Sequence, residues 1–315
     1  MSAPPPLFVL GVRRSGTTLL RVMLDRHSEL AIPDESYFIP QLADRHHGPI
    51  DIDAFVDDLG RLQTLRDWDV DVDAVRGRLR PGMPPGQAIA AVYDTYAAAQ
   101  GKERWGDKTP MYMQHLPMLE RLFPEALYVH LIRDGRDCAL SFLQMPDGIV
   151  TRTWAHPRDA AGFACQWRSE VVAARALGRR VGSRYLETRY EDLVADPERE
   201  LGRIGAHAGI AYEPAMVDYA RNVDVSRQPH QQSLTRPLTP GLRDWRTDMA
   251  AADERAFEAV AADLLAELGY DATNAVTASG RLRRASYAAR VTAWNATGRA
   301  VRRSPLWRRR HPSLF

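Results

Sequence analysis

The chain has 315 residues, 45% hydrophobic and 26% charged, a mix that fits a soluble globular protein and excludes general disorder. Its two cysteines, Cys138 and Cys165, exclude a disulfide scaffold and point to a reducing compartment. The net charge of +2 conceals an asymmetry: ten arginines and no acid follow Asp271, leaving 32 basic against 40 acidic residues upstream.

Leu7 to Val12 is a short apolar run followed at once by Arg13 and Arg14. It is too short to span a bilayer and lacks the layout of a signal peptide, so the expected compartment is the cytoplasm. The run reads as a buried strand of parallel character, and Thr17 to His27 follows with Leu19, Leu20, Met23 and Leu24 at helical spacing. Residues 51–67 and 85–100 are helical by pattern, with Pro81 to Gly86 a surface loop between them. Ala126 to Ile132 is a second buried strand, followed by a helix over Arg136 to Leu143, and 157–178 is helical by pattern. Arg184 to Thr188 is a third strand, and Asp196-Pro197 opens a helix as N-cap and N1 proline. Residues 226–250, rich in Pro, Gln, Ser and Thr, read as a long loop, ordered or mobile, of the length that often carries function, and 253–268 is helical again. Strands alternating with helices predict an α/β fold, a central parallel sheet flanked by helices.

The expected partition is one domain over residues 1–280 and a basic, partly helical tail over 281–315. A basic tail on an acidic body does not describe a nucleic-acid-binding core. Arginines interleaved with Tyr287, Val291 and Trp294 fit either a weak contact with an anionic membrane surface or docking on the body, Trp294 inward. Docking is favoured, because the acidic body is at hand in every molecule.

Gly11-Val-Arg-Arg-Ser-Gly-Thr-Thr18, between a strand and a helix, has the spacing of a phosphate-binding loop with Thr17 in place of its lysine. Backbone N–H groups and the helix N-terminus still converge on a phosphate, and Ser15, Thr17 and Thr18 add hydroxyl donors. What is lost is the lysine that reaches the outer phosphates of a nucleoside triphosphate, while Arg14 supplies charge elsewhere. Asp69-Val-Asp-Val-Asp73 imitates a metal-binding D-x-D but alternates as a helix entry does, and His46-His47 lacks a third ligand, so no metal is expected. Two rival readings are a small-molecule kinase with a degenerate loop and a non-catalytic nucleotide- or membrane-binding scaffold. The kinase would need a loop lysine and a magnesium-binding acid, and neither is evident.

Arg14-Ser-Gly-Thr-Thr18 after one strand, Ile132-Arg-Asp-Gly-Arg-Asp137 after another, and Arg189-Tyr-Glu-Asp-Leu193 before Asp196-Pro197 resemble the sulfotransferases. The resemblance covers about residues 7–250 and is closest to the protein-tyrosine sulfotransferase-like branch, through Leu24-Asp-Arg-His27 and Pro33-Asp-Glu-Ser-Tyr-Phe-Ile-Pro40. It implies a P-loop nucleotidase-like fold and sulfuryl transfer from 3′-phosphoadenosine 5′-phosphosulfate to a hydroxyl without a metal, leaving adenosine 3′,5′-bisphosphate. It places the 5′-phosphosulfate on Arg14, Ser15, Gly16, Thr17 and Thr18, and the 3′-phosphate on Arg133 and Ser141. Tyr190 would lie near the nucleotide, with Arg243 and Trp245 in a loop closing over it. The resemblance makes Glu35 the base, with Asp34 its rival, and sets Lys108 of Gly106-Asp-Lys-Thr-Pro110 at the bridging oxygen with Arg14. Only Lys102 and Lys108 are lysines among 42 basic residues, and a lysine retained against that bias fits a need for a compact ammonium. Tyr37 and Gln41 stand where the tyrosine-sulfating members carry basic residues. The acceptor therefore stays open among sugars, lipids, peptides and secondary metabolites, and so does the oligomeric state.

Overall fold

Five strands form one parallel sheet in the order β2-β3-β1-β4-β5 in a computed structural model that describes residues 4–145, 156–219 and 244–303. Strand β1 (Leu7–Leu10) leads into α1 (Thr17–Asp25) and the two-residue β2 (Leu30–Ala31). Helices α2 (Ile39–Arg45), α3 (Ile52–Arg61), α4 (Gln63–Asp67), α5 (Val72–Arg78) and α6 (Pro85–Ala99) separate β2 from β3 (Arg104–Asp107). A 3₁₀ turn (Pro110–Gln114) and α7 (Leu116–Leu122) precede β4 (Leu127–Ile132), α8 (Gly135–Leu143), α9 (Ala160–Val181) and β5 (Tyr185–Arg189). Then come α10 (Tyr190–Ala195), α11 (Pro197–Ala208), α12 (Trp245–Asp248), α13 (Ala251–Glu267) and α14 (Ala278–Arg303).

The three strands and the α/β class expected from the apolar pattern are present, with Gly11 and Val12 already in the loop after β1. The pattern left β2 and β3 unmarked: one is two residues long, and the other, Arg-Trp-Gly-Asp, carries a single large apolar side chain. Asp196 caps α11 as expected, its carboxylate accepting the N–H of Arg199 at 3.2 Å. The acidic run at 69–73 also serves as a helix entry, with Asp71 accepting from the N–H groups of Asp73 and Ala74.

Side chains of β1 alternate between two cores, as the two-residue period of a strand requires. Phe8 and Leu10 pack with Phe38, Tyr93, Trp105 and Tyr128 on one face. Leu7 and Val9 pack with Leu20, Met23, Val129 and Ile204 on the other. A third core joins α8, α9 and α13 through Phe142, Trp167 and Phe257. Because every strand pairing is parallel, all five strands end at one edge of the sheet, where α/β proteins build their sites.

Helix α14 takes in the start of the basic tail and docks on the body. Tyr287 is buried in the third core, Arg284 Nε donates to the Val260 carbonyl at 2.7 Å, and its Nη2 lies 2.7 Å from Asp263. Arg283 pairs with Asp159 at 3.3 Å. Gly280 makes this approach, since a Cβ there would fall 1.7 Å from the Ala259 carbonyl oxygen. The inward aromatic is Tyr287, while Trp294 is 37% exposed. Among the described residues no helix is long and apolar enough to cross a membrane.

Candidate active site

The loop after β1 is shaped by two left-handed residues, Arg14 (φ 72°) and Gly16 (φ 90°). Gly16 is required twice over, because a Cβ would also lie 2.4 Å from Cδ2 of Tyr190. The Val12 carbonyl accepts the N–H of Ser15 at 3.1 Å, closing the turn. No side chain caps the first turn of α1, so its leading N–H groups remain available to an anion. Ser15 and Thr17 are buried beneath the loop, and Ser15 Oγ lies 3.7 Å from Cys138 Sγ.

Each remaining expected residue arrives from another strand end. Glu35 follows β2, Lys108 follows β3 directly, Arg133 follows β4 directly with Ser141 two turns into α8, and Tyr190 follows β5. The contacts join them into one cluster. Lys108 Nζ lies 2.5 Å from Glu35 Oε1 and 3.2 Å from Thr18 Oγ1. Arg14 Nε donates to Ser141 Oγ at 2.8 Å. The Arg133 guanidinium stacks on Tyr190, 4.5 Å from the ring centroid, and lies 3.5 Å from Asp137. Arg14 thus reaches the serine expected at the 3′-phosphate. Asp34, the rival base, is turned away to Arg21 at 2.9 Å. Arg243 lies outside the described residues.

Lys108 is 1% exposed, and burial draws its pKa down against the pull of Glu35. An ammonium so placed is a compact charge with few other partners, which suits a lysine better than a forked guanidinium. The second oxygen of Glu35 accepts a hydrogen bond from the hydroxyl of Tyr37, itself a left-handed residue (φ 57°).

Sequence reasoning missed the polar core that holds Glu35 against Lys108. Ser36 Oγ donates to Asp107 Oδ2 at 2.6 Å, and Tyr93 donates to the same oxygen at 2.8 Å. Tyr112 lies 2.6 Å from Ser36 Oγ, and Thr109 Oγ1 accepts the Ser36 N–H at 3.0 Å. Neighbours of the two site residues are therefore laced together across the sheet edge. Burial pushes the Asp107 carboxyl up to about 6 despite these donors. The one local signal was Asp107 itself, adjacent to Lys108; Tyr93 and Tyr112 carry no mark that separates them from ordinary core aromatics.

Residues 5–214 match the model of the sulfotransferase family. The chain belongs to that family. This sulfotransferase is 29% identical over 309 residues to the nodulation protein NoeE of Sinorhizobium fredii, covering 85% of this chain and 67% of the relative. It is 26% identical over 280 residues to protein-tyrosine sulfotransferase A of Caenorhabditis elegans, with the same coverage. Among solved structures, the sulfotransferase domain of the Synechococcus PCC 7002 olefin synthase superposes with a TM-score of 0.59 at 25% identity, over 86% of this chain and 97% of that one. The domain from the curacin biosynthetic pathway gives 0.56 at 19% identity, over 86% and 100%, a likeness of fold. Family membership settles the kinase alternative: the loop without lysine is that of a sulfotransferase.

Proposed function

We propose that this sulfotransferase takes its sulfuryl group from 3′-phosphoadenosine 5′-phosphosulfate and delivers it to a hydroxyl acceptor. The observation that carries the reading is a set of anion-binding groups gathered in one cluster: the uncapped start of α1, Arg14 bonded to Ser141, and Arg133 stacked on Tyr190. The residues fit a nucleotide phosphorylated at both ends. Arg133 Nε is buried with no hydrogen-bond partner among the described residues, a donor left over where β4 ends. An arginine fork and a hydroxyl make a suitable clamp for a phosphate monoester.

In this reading Glu35 takes the acceptor's proton as its oxygen bonds to sulfur and the bridging S–O bond breaks. Lys108, with Thr18, faces the negative charge that collects on the leaving phosphate. Because Tyr37 occupies the second Glu35 oxygen, the acceptor hydroxyl reaches the base by displacing a hydroxyl already there. The named tyrosine sulfotransferases among the relatives support a hydroxyl acceptor. Tyr37 and Gln41 depart from the basic pattern of the tyrosine-sulfating members and leave the acceptor class broad.

Calorimetry with adenosine 3′,5′-bisphosphate and adenosine 5′-phosphate tests the donor. An arginine–phosphate contact contributes about 1.5–3 kcal/mol, so the bisphosphate should bind roughly tenfold to a hundredfold more tightly. Equal affinity refutes the assignment. Labelled donor incubated with pooled sugars, lipids, peptides and secondary metabolites, followed by mass-shift detection, identifies the acceptor.

A further inference from the structure

Asp137 has no role in the reading so far, yet it touches both Arg133 and Trp245. It lies in the first turn of α8, four residues past Arg133, and is 13% exposed. Its Oδ2 is 3.5 Å from Arg133 Nη2, and its Oδ1 accepts the backbone N–H of Trp245 at 2.9 Å. The Trp245 ring in turn covers Arg136, whose guanidinium carbon is 3.5 Å from the ring centroid. Arg136 is committed elsewhere, to Asp134 at 2.7 Å and Glu258 at 2.6 Å. Asp137 is therefore a joint between Arg133 and the start of α12.

A phosphate bound at Arg133 must share that guanidinium with the Asp137 carboxylate. Two anions competing for one cation cannot both keep their full charge cheaply in a partly buried site. Burial already pushes the Asp137 carboxyl up to about 6; Arg133 opposes this, while Asp134 and, from α10, Glu191 add to it. The other titratable groups nearby are Tyr190 and Cys138, both shifted toward their neutral forms by burial. Beyond them lie Arg136 with Glu258 of α13, and Arg246 of α12, whose guanidinium carbon is 4.7 Å from the Trp245 ring centroid.

Resting on the donor reading above, we propose that Asp137 is a positioning residue for the donor's 3′-phosphate. It aims Arg133, anchors Trp245 beside it, and takes up a proton when that phosphate arrives. The carboxylate thereby yields the arginine without leaving an unpaired charge, and through its neutral form it still accepts the Trp245 N–H.

The test is calorimetry of the full chain and of Asp137→Asn, each titrated with adenosine 3′,5′-bisphosphate and adenosine 5′-phosphate at pH 6 and pH 8. Asparagine keeps an acceptor for Trp245 but cannot titrate. A rise of one unit in the carboxyl's pKa on binding lowers the bisphosphate affinity about fivefold between the two pH values. Measured as the bisphosphate-to-monophosphate preference, the unmutated chain should lose that factor relative to the variant. An independent readout on the unmutated chain is proton uptake at pH 7, from binding heats in buffers of different ionisation enthalpy. Binding of the bisphosphate should take up about 0.4 of a proton more than binding of the monophosphate. Equal pH dependence in both chains, or equal proton uptake for both nucleotides, overturns the role of Asp137 while leaving the donor assignment intact. Absence of any bisphosphate preference in the unmutated chain overturns the donor assignment itself.

Discussion

Glu35→Gln separates the base from its shape. Glutamine keeps the length of the side chain and a carbonyl facing Lys108, but it removes the group that accepts the acceptor's proton. Turnover should fall about 10²–10⁴-fold, the usual contribution of a positioned general base. The change has a second cost that the structure allows to be sized. Lys108 Nζ has Glu35 at 2.5 Å and Thr18 at 3.2 Å, and without the carboxylate a buried ammonium is left with neutral partners. Breaking a fully buried pair costs roughly 3–5 kcal/mol. Here the Glu35 side chain is 25% exposed and glutamine still accepts a hydrogen bond, so about 1–3 kcal/mol is expected. At about 2 °C per kcal/mol for a chain of this size, the melting temperature should drop by roughly 2–6 °C. Bisphosphate affinity should hold within about threefold, because the phosphate contacts lie on other strand ends. Initial rates with labelled donor and the acceptor from the pooled screen, a melting curve and a bisphosphate titration read all three quantities. Near-normal turnover refutes the assignment of the base and makes Asp34→Asn the next variant. A turnover loss matched by an equal loss of bisphosphate affinity places the role of Glu35 in donor binding instead.

The clamp can be divided: Arg133→Ala should erase most of the bisphosphate preference, whereas Ser141→Ala should cost only about tenfold, since one hydroxyl hydrogen bond to a phosphate contributes about 1.5 kcal/mol. A calorimetric result with the order reversed would make the serine the principal contact. Asp107→Asn should alter how stability depends on pH. The carboxyl rises from 3.8 to about 6 on folding, so the stability it contributes in acid is lost as pH climbs through that window, by on the order of 3 kcal/mol. Denaturant midpoints at pH 4 and pH 7 should therefore shift in favour of the asparagine variant at the higher pH, and a constant difference between the chains counts against it. Deleting residues 278–315 uncovers the Tyr287 site, and burial of such a ring contributes about 1.5–3 kcal/mol, so the melting temperature should fall by several degrees. If the full chain instead sediments with anionic vesicles and the deletion melts unchanged, the tail belongs to a membrane surface.

Those parts of the fold that advertise themselves over a few consecutive residues were legible. The run Leu7 to Val12 marks a buried strand because both faces of a central parallel strand are covered. The loop that follows is marked by glycine and hydroxyl spacing, whereas Arg133 and Ser141 take their role from the resemblance, with which their spacing across a strand-to-helix junction agrees. Glu35 and Lys108 could be placed only through resemblance, since β2 and β3 are short and carry little apolar signal. Their support was invisible for a different reason. Ser36, Tyr93, Asp107 and Tyr112 lie far apart in the chain and meet only when the sheet forms, and no periodicity encodes such a meeting. The tail was readable as a helix but not as an oriented one. Apolar and arginine side chains interleave along it, and the choice of Tyr287 over Trp294 as the inward ring follows from the surface of α9 and α13.

Strand β2 pairs through just two residues, Leu30 opposite Arg104 and Ala31 opposite Trp105, at the outer margin of the sheet. Its further ties include Lys102 Nζ to the Leu30 carbonyl at 3.0 Å, the N–H of Ile32 to Asp25 Oδ1 at 2.8 Å, and Arg21 Nη1 to the Ile32 carbonyl at 3.2 Å. The phosphate loop, by contrast, springs from β1, flanked by neighbours on both sides. Local opening starts where pairing is thinnest, so the margin bearing Glu35 should exchange its amide hydrogens ahead of the central strand. The two halves of the reaction thus rest on footings of unequal rigidity. The nucleotide end is built on the central strand, while the acceptor end sits on a thinly paired strip whose hold on the rest is the side-chain network through Ser36, Asp107 and Lys108.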